Sequence, residues 1–368
     1  MSNPLVILQN NQSSKPALPR QNRSGVDRLK CFFYVDPDMS LIEHSEWVAN
    51  SLQKQKNGMF VEFTKYTRIF IHKGATVRVS YNTAYDRCSL DFNPADIRHG
   101  KSSKFLHPND LLETCEEVIN LVKQELHPAF DIVNKSTGEI DRDPTWPKQV
   151  HIKSIELGCP IEVKNELRSA FERAIEATRP RRKQTRTKHD DCSNGWTQKN
   201  STKHSGEDKI YNKTEELKVR GIYEPIRQGY TKYRFETTLK GKRRDKYGIR
   251  TLADVYEGSV WFAVSDRFHE CNWDVRLSSN ADLNRNLLAM TYSQREKALG
   301  YLKVKELGLD SGLSVARLRD RKKLMRELGI TPGLGLENLP SKSHYLDLSV
   351  GEFVEVIDVG DEAESFQT

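Results

Sequence analysis

The chain has 368 residues, of which 36% are apolar and 30% are charged, and its formal net charge is +7 at pH 7. This length suits two or three domains with a packed core, and the basic excess points to a nucleic-acid partner. The sequence has no apolar run near the ~20 residues of a membrane span and no signal-peptide pattern, so we expect a cytoplasmic protein without membrane contact.

The N-terminal part of the sequence predicts a tail followed by a sheet. Residues 1–27 are rich in Asn, Gln, Ser and Pro, a composition typical of disorder. Alternating segments separated by turn signals then predict short antiparallel strands. The predicted strands are 31–35, 60–64, 67–72, 76–81 and 87–92. In the last of them, alternation places Cys88 and Leu90 on one face and Asp91 on the other, polar face.

Two amphipathic helices accompany these strands. The clearer one opens at the Pro-Asn-Asp sequence of residues 108–110, and the other is predicted at 163–178 because Pro180 follows it closely. Six cysteines form no C-x-x-C pair and fit no zinc pattern, so we expect reduced core residues. The order of elements predicts an α+β fold, an antiparallel sheet with helices packed on one face.

A strong strand is predicted at 149–157, between the two helices. Alternation within it is expected to place Ile152, Ser154 and Glu156 on one face and His151 on the other. Glu156 would then stand on a face that carries few large apolar groups.

A polar, basic run occupies residues 179–208, with six Lys or Arg and no acid between residues 179 and 189. A solvated loop and an arm that contacts phosphates both explain such a run. Its place directly before Tyr211 favours the arm. The DNA contacts assigned to it are Arg181, Arg182, Lys183 and Arg186.

Tyr211, Lys213 and Glu216 place a nucleophile, a cation and a carboxylate close together in the sequence. A tyrosine oxygen can displace the 3′ oxygen of a DNA phosphate and retain the 5′ phosphate as an ester. Lys213 would lower the phenol pKa from its ordinary ~10 or bind a phosphate oxygen. Taken alone, a tyrosine at a strand end is more often a half-buried packing residue.

Such a reaction needs a divalent cation, and carboxylate oxygens suit Mg²⁺ or Mn²⁺. Asp91, Glu156 and Glu236 each fall in a predicted strand, on a face with few large apolar groups. We assign them as the metal ligands. Taken singly, each is more often a solvated or salt-bridged residue.

The stretch 231–250 carries eight Lys or Arg against two acids, and its first half alternates like a strand. A basic β-hairpin over a groove is predicted there, with Arg234, Arg243 and Arg244 as DNA contacts. Beyond residue 250, helical patterns dominate. The basic segment 314–328 and the helix before it resemble a helix-turn-helix or winged-helix unit, although a charged surface helix explains the pattern equally well. Its assigned DNA contacts are Arg319, Lys322 and Lys323.

The set Tyr211-x-Lys213-x-x-Glu216-Leu217 resembles the active-site motif of the rolling-circle replication initiators of filamentous bacteriophages, the gene II/X family. Four further stretches match that family in the same order. They are 90–96 with His99-Gly100, then 155–157, 234–236 and 301–328. This chain departs from the family at Ser154 and Glu156, which stand where the family has Arg and Asp. The His-hydrophobe-His motif of the wider nicking-enzyme class is also missing.

The resemblance implies an origin-nicking nuclease domain with a Rep nuclease-like fold over 28–250. It also implies a helical DNA-binding domain over 251–350, followed by an acidic tail at 351–368. The implied enzyme nicks and rejoins one strand at a double-stranded phage or plasmid origin through a 5′-phosphotyrosine, with Mg²⁺ or Mn²⁺. Its implied partners are that origin, single-stranded DNA and the replicative helicase and polymerase of a bacterial host. The resemblance leaves open whether the protein forms an oligomer at the origin.

Three other functions remain open on the sequence. A replication or transcription regulator without nuclease activity would keep the basic C-terminal helices and need neither Tyr211 nor a metal. A mobilisation relaxase or transposase would usually carry the two-histidine metal motif. An unrelated RNA-binding protein would explain the charge but not the ordered motifs.

Overall fold

The structure is a computed structural model that describes most of the chain between residues 23 and 355. The residues outside the description are 1–22, 38, 44–45, 57–58, 101–103, 127–129, 133–145, 178–183, 190–194, 201–205, 274–275, 278–279, 307–313, 315–316, 318, 321–322, 325–343, 348–350 and 356–368.

The described part of the chain contains both strands and helices. The strands are β1 (Gly25–Pro37), β2 (Val48–Lys56), β3 (Met59–His72), β4 (Ala75–Asn82), β5 (Arg87–Phe92), β6 (Phe130–Ile132), β7 (His151–Lys164), β8 (Gln184–His189), β9 (Gly195–Asn200), β10 (Glu207–Asn212), β11 (Tyr230–Lys240), β12 (Arg276–Leu277), β13 (His344–Asp347) and β14 (Glu352–Glu355). The helices are α1 (Met39–Glu43), α2 (Pro94–His99), α3 (Leu111–Leu126), α4 (Trp146–Gln149), α5 (Asn165–Ala177), α6 (Lys213–Val219), α7 (Lys242–Lys246), α8 (Glu257–Glu270), α9 (Asn280–Leu288) and α10 (Tyr292–Glu306).

One large sheet organises the molecule, with the strand order β2-β3-β4-β5-β1-β7-β11-β10-β9-β8. Neighbours along this path pair antiparallel, and β14 adds a parallel contact to β7. The fold is therefore mixed α+β with a large antiparallel sheet, which confirms the predicted class. Within the described ranges, no helix combines the length and apolar composition needed to cross a membrane.

The long helices cover one face of this sheet. Phe171 of α5 packs edge-on against Tyr233 at 4.8 Å between ring centroids, and Phe268 of α8 packs against Phe235 at 5.1 Å. Cys115 of α3 belongs to the same buried core. The other face of the central strands carries polar and charged side chains. That uncovered side is called the open face below.

The predicted strands match the structure closely in some places and poorly in others. β5 has the predicted bounds, whereas the segments predicted at 60–64 and 67–72 form the single strand β3. The strand predicted at 149–157 continues to Lys164. β1 begins at Gly25, so the last residues of the predicted tail belong to the sheet.

Two bulges interrupt the ladder between β1 and β7. Asp27 on β1 and Lys153 on β7 have no partner across the ladder. A bulge adds one residue and so reverses the alternation of faces beyond it. Ile152 is consequently buried in the core, and His151 contacts Phe32 on the same face as Glu156. The prediction that Ile152 shares a face with Glu156 and that His151 points away from that face is wrong.

The C-terminal part differs from its prediction in two respects. Helix α8 belongs to the main hydrophobic core, and β12, β13 and β14 join the large sheet. The main core therefore continues past residue 250, where the boundary between two domains was predicted. Strand β14 also lies within the predicted acidic tail. Helices α9 and α10 build a separate small cluster with Leu324 packed against it. Most of the predicted basic helix at 314–328 lies outside the described residues.

The predicted basic hairpin at 231–250 is wrong. β11 lies in the middle of the sheet between β7 and β10, because its odd-numbered side chains from Tyr233 to Leu239 are buried in the core. The chain then turns at Gly241 into the short helix α7.

Candidate active site

A cleft of about 1140 Å³ lies on the open face, where β1, β7, β11 and β10 run side by side. Tyr211, Lys213, Glu216, Arg234 and Glu236 all line it. The structure thus brings together the residues of the tyrosine motif and the Arg-Phe-Glu segment, which are separated in the sequence. Their common face follows from the register, in which Tyr211 is opposite Arg234 on the neighbouring strand.

Tyr211 stands at the point where strand β10 becomes helix α6. The side chain of Asn212 caps this helix by accepting a hydrogen bond of 3.1 Å from the backbone N–H of Glu215. On the neighbouring strand, a Cβ at Gly195 would lie only 2.6 Å from the Cβ of Tyr211. The absence of a side chain at Gly195 therefore lets β9 pack directly against the tyrosine.

The Tyr211 hydroxyl donates a hydrogen bond of 2.7 Å to Oε1 of Glu236. Burial and the negative charge of Glu236 raise the pKa of Tyr211 well above its ordinary value. This direction is the opposite of the predicted lowering by Lys213. The hydroxyl is therefore protonated at neutral pH, and a carboxylate that can accept its proton is already in contact.

Lys213 is held by Glu216. Its Nζ lies 2.5 Å from Oε2 of Glu216 and 5.8 Å from the centroid of the Tyr211 ring. Arg220 contacts the other oxygen of Glu216 at 2.6 Å. Burial and the nearby charge of Arg234 lower the pKa of Lys213. Glu216 thus positions a buried cation beside the tyrosine and does not itself touch the hydroxyl.

Three carboxylates converge next to Tyr211. Oxygen atoms of Asp27, Glu156 and Glu236 all lie within 4.8 Å of one another. Two ligands on opposite sides of a bound Mg²⁺ are about 4 Å apart, so this spacing is close to that of a shared cation. The three residues form the acidic cluster, and their chemistry fits the predicted Mg²⁺ or Mn²⁺.

Glu156 and Glu236 are hydrogen-bonded to each other within the acidic cluster. Burial and the charge of Glu236 raise the pKa of Glu156 to about 8. Burial acts to raise the pKa of Glu236, but the charge of Arg234 and the hydrogen bonds with Glu156 and Tyr211 together outweigh burial and lower this pKa. One proton therefore sits on Glu156 at neutral pH, in the position that a divalent cation would take.

Arginine and lysine side chains surround these carboxylates. Arg234 is almost fully buried, its Nε lies 2.7 Å from Oε1 of Glu236, and its guanidinium group also contacts Asp27 and covers the ring of Phe105. The Nζ of Lys209 lies 3.7 Å from Glu156. The cleft therefore combines negative charge for a cation with positive charge for a phosphate.

Asp91, the third ligand predicted from the sequence, is held elsewhere in the cleft. Arg28 binds it at 2.9 Å and Lys30 at 2.7 Å, and although burial opposes them these contacts lower the pKa of Asp91. The acidic cluster has Asp27 in its place. Sequence reasoning missed Asp27 because it fell in the predicted tail and reaches this face through a bulge. Strict alternation backwards from Leu29 places Asp27 on the core face, so an acidic residue at a core position was the available signal of a bulge.

Glu156 provides a pH-dependent prediction. Its pKa is about 8 in the folded protein and about 4.5 in an unfolded chain, so its stabilising contribution is complete below pH 4.5 and is lost as the pH rises through 8. In EDTA, wild type should lose at least ~2 kcal/mol of unfolding free energy relative to Glu156→Gln between pH 5.5 and pH 8.5. Urea denaturation measures this difference. Magnesium should restore the loss at pH 8.5 in wild type alone, whereas parallel pH curves for the two proteins would contradict the assignment.

The structure describes only some of the remaining predicted DNA contacts. Arg181, Arg182, Lys183 and Lys322, and the side chain of Arg186, lie outside the described residues. Arg319 and Lys323 are exposed. Arg244 donates a hydrogen bond of 2.7 Å to Asp245 and another to the carbonyl of Ile152. Among the predicted DNA contacts that the structure describes, only Arg234 lines the cleft.

Arg243 is part of a buried network around Asp208, on the helix-covered face of β10. Asp208 accepts hydrogen bonds from Arg243 at 3.2 Å, Arg267 at 2.6 Å and Thr237 at 2.7 Å. Since Arg243 is only 7% exposed, this geometry gives it a structural role and not the predicted DNA contact.

Asp208→Asn is expected to destabilise the protein by about 3–5 kcal/mol, because two buried guanidinium groups lose their counter-charge. Urea denaturation measures the change. Asp245→Asn is the matched control, since Asp245 is partly exposed and its ion pair with Arg244 should contribute less than about 1 kcal/mol. Equal effects of the two substitutions would contradict the proposed structural role.

No family model matches the chain, and a search of curated proteins finds no similar sequence. The chemistry of the cleft and the motif order are therefore the basis on which a function is assigned.

Proposed function

We propose that the chain is the replication initiator of a filamentous phage or rolling-circle plasmid, a site-specific DNA nicking and closing enzyme with Tyr211 as its nucleophile. The observation that carries the proposal is the 2.7 Å hydrogen bond from Tyr211 to Glu236, within the acidic cluster. A half-buried tyrosine is often a packing residue, but this one donates to a carboxylate beside a candidate cation site in an open cleft.

The reaction is a transesterification that neither consumes water nor loses bond energy. As the phenolic proton passes to Glu236, the Tyr211 oxygen attacks the phosphorus, and the bond to the 3′ oxygen of the neighbouring nucleotide breaks. The 3′ oxygen takes up a proton, and the 5′ phosphate stays on the tyrosine. Attack by a 3′ hydroxyl reverses each step and closes the strand.

The raised pKa of Tyr211 is consistent with this role. A phenol of high pKa is a poor nucleophile until its proton is removed, and it is a strong one afterwards. Glu236 is in hydrogen-bonding contact with that proton. A cation held by Asp27, Glu156 and Glu236 would polarise the phosphate and stabilise the developing charge.

Two buried cations complete the phosphate site. Arg234 lies against Glu236 and Asp27, and its guanidinium group lines the cleft. Its positive charge at the edge of the acidic cluster would attract a non-bridging phosphate oxygen. Lys213, held by Glu216 beside the Tyr211 ring, supplies a second positive charge for the same group.

The architecture supports the same assignment at the level of the fold. A Rep nuclease-like domain needs an antiparallel sheet whose uncovered face presents the tyrosine, and β1, β7, β11 and β10 have that arrangement. We assign origin binding to the C-terminal helices, including the exposed Arg319 and Lys323. Phosphate contacts of this kind would position the duplex without reading its sequence.

Supercoiled DNA of the replicon that encodes the chain tests the proposal. With Mg²⁺ or Mn²⁺ supplied, the protein should convert it to the nicked form, and mass spectrometry should find the 5′-phosphate adduct on Tyr211. Uncut DNA, or an adduct on Tyr223, Tyr230 or Tyr233, would overturn the proposal. Tight origin binding without any adduct would favour the regulator.

A further inference from the structure

The open face continues beyond the cleft along β1. Arg28, Lys30, Phe32 and Tyr34 alternate with buried core residues, so all four point to this face. Arg28 lies opposite Glu156 in the ladder. Phe32 is four residues farther on, about 13 Å from Arg28 at the usual rise of a strand. A second group of side chains thus lies on the same surface as the acidic cluster.

Aromatic rings form the centre of this second group. Phe32 and His151 are stacked, with centroids 5.1 Å apart and an interplanar angle of 22°. Tyr34 meets both rings edge-on at 6.0 Å. The guanidinium group of Arg87 lies 4.4 Å from the centroid of Phe32. All four side chains are partly exposed, so the rings are not part of the buried core.

Cations that form no ion pair with another described residue surround the rings. Arg87 is opposite Tyr34 in the ladder, and Lys65 follows in the same row of the sheet. Among described residues, Lys65, Arg87 and Lys153 form no ion pair, and the buried Nε of Arg87 has no hydrogen-bond partner. The nearby carboxylate of Asp91 is already bound by Arg28 and Lys30.

The crowding of these like charges has a measurable consequence. Burial together with the charges of Arg87, Lys65 and Lys30 lowers the pKa of Lys153. Unpaired cations held close together disfavour the free protein and favour binding of an anion. An anion that also has flat apolar groups would use both the charges and the rings.

We propose that this surface, the basic-aromatic platform of Phe32, Tyr34, Lys65, Arg87, His151 and Lys153, binds single-stranded DNA next to the nick. Phosphates neutralise the three cations, and bases stack on the rings. The bases of a duplex are stacked inside the double helix and cannot reach these rings. The bases of a single strand are exposed and can stack on aromatic side chains of the sheet. The inference rests on the proposed function, because the bound strand is the one that Tyr211 cleaves. At 3.4 Å per stacked nucleotide, the platform is about four nucleotides from the acidic cluster.

Fluorescence anisotropy with the full chain in EDTA tests the platform without cleavage. The probes are a labelled oligothymidine of about 16 nucleotides and a duplex of the same length. Phe32→Leu should weaken binding of the single strand about tenfold through lost stacking. Lys153→Ala, at an exposed position, should reduce the slope of log affinity against log salt by about 0.7.

Arg173→Ala is the matched control. It removes an exposed arginine from α5, on the helix-covered face, and should leave affinity for the single strand unchanged. Thermal unfolding of each variant verifies that it is folded, and Lys153→Ala remains informative if Phe32→Leu is not.

The possible outcomes separate this inference from the proposed function. Single-strand binding that is absent in wild type, or unchanged in Phe32→Leu and Lys153→Ala, overturns the platform whether or not Tyr211 forms an adduct. An equal loss of duplex binding also overturns it, because the surface would then be a general phosphate contact. Selective loss of single-strand binding supports the platform, and it does so even if no adduct forms and the proposed function fails.

Discussion

Tyr211→Phe is expected to reduce nicking of the supercoiled replicon by about 10⁴-fold or more, because the substitution removes the only atom that can form the covalent bond. Origin binding should stay within a few-fold of wild type, since the ring and its packing against Gly195 are kept. Stability should change by only about 1 kcal/mol, the usual cost of one hydrogen bond. A nicking gel beside a binding titration measures both quantities.

Tyr233→Phe is the matched control for this prediction. Tyr233 is fully buried, and its hydroxyl donates to Glu172 on the helix-covered side of the sheet. Both variants therefore lose a tyrosine hydroxyl that donates to a glutamate, but only the Tyr211 hydroxyl faces the cleft. Tyr233→Phe should nick at a rate near that of wild type.

Each contrary result has a specific meaning. Loss of nicking and binding together in Tyr211→Phe would indicate a structural tyrosine and would remove the basis of the proposed function. Normal nicking in that variant would require another nucleophile. Loss of nicking in Tyr233→Phe alone would indicate that DNA is cleaved on the helix-covered face of the sheet, at Tyr233.

Local patterns in the sequence predict much of this architecture. β5 is predicted to the residue because Cys88, Leu90 and Phe92 alternate without interruption. The helix α3 is predicted as an element because its apolar stripe is regular. The tyrosine motif is also readable, because Tyr211, Lys213 and Glu216 bring a nucleophile, a cation and a carboxylate together within one short stretch. Alternation and capping act over a few residues, so one sequence suffices to find them.

Features that depend on the partner strand could not be predicted in this way. A bulge is one unpaired residue, and neither Asp27 nor Lys153 differs in type from its neighbours on the polar face. The burial of Arg243 depends on Asp208 and Arg267, which lie far from it in the sequence. Strands β13 and β14 are too short for a clear pattern and are fixed by pairing with each other and with β7.

This limit explains why the predicted ligand set differs from the acidic cluster in one member. Asp91 and Asp27 are both aspartates on the open face, and both line the cleft. Composition favours Asp91, which lies in a clear strand and in a stretch that resembles the phage initiators. Geometry favours Asp27, because its oxygen is near those of Glu156 and Glu236.

Asp27→Asn and Asp91→Asn therefore form a decisive pair. Asp27→Asn should raise the Mn²⁺ concentration needed for half-maximal nicking by at least 10–100-fold, because a charged ligand becomes neutral. The amide keeps one oxygen, so high Mn²⁺ should recover much of the rate. Asp91→Asn should leave the Mn²⁺ requirement within about threefold of wild type, since Asp91 is bound to Arg28 and Lys30. Metal titrations of the nicking rate measure both effects.

The reverse pattern would place the cation on Asp91 and would mean that Arg28 and Lys30 release it when metal and DNA bind. Equal, small effects in both variants would remove the aspartates from the metal site and leave Glu156 and Glu236 as its protein ligands. A loss in Asp27→Asn that no Mn²⁺ concentration recovers would have a different cause. Asp27 also contacts Arg234, and its neutralisation would then act by misplacing the guanidinium group that binds the phosphate.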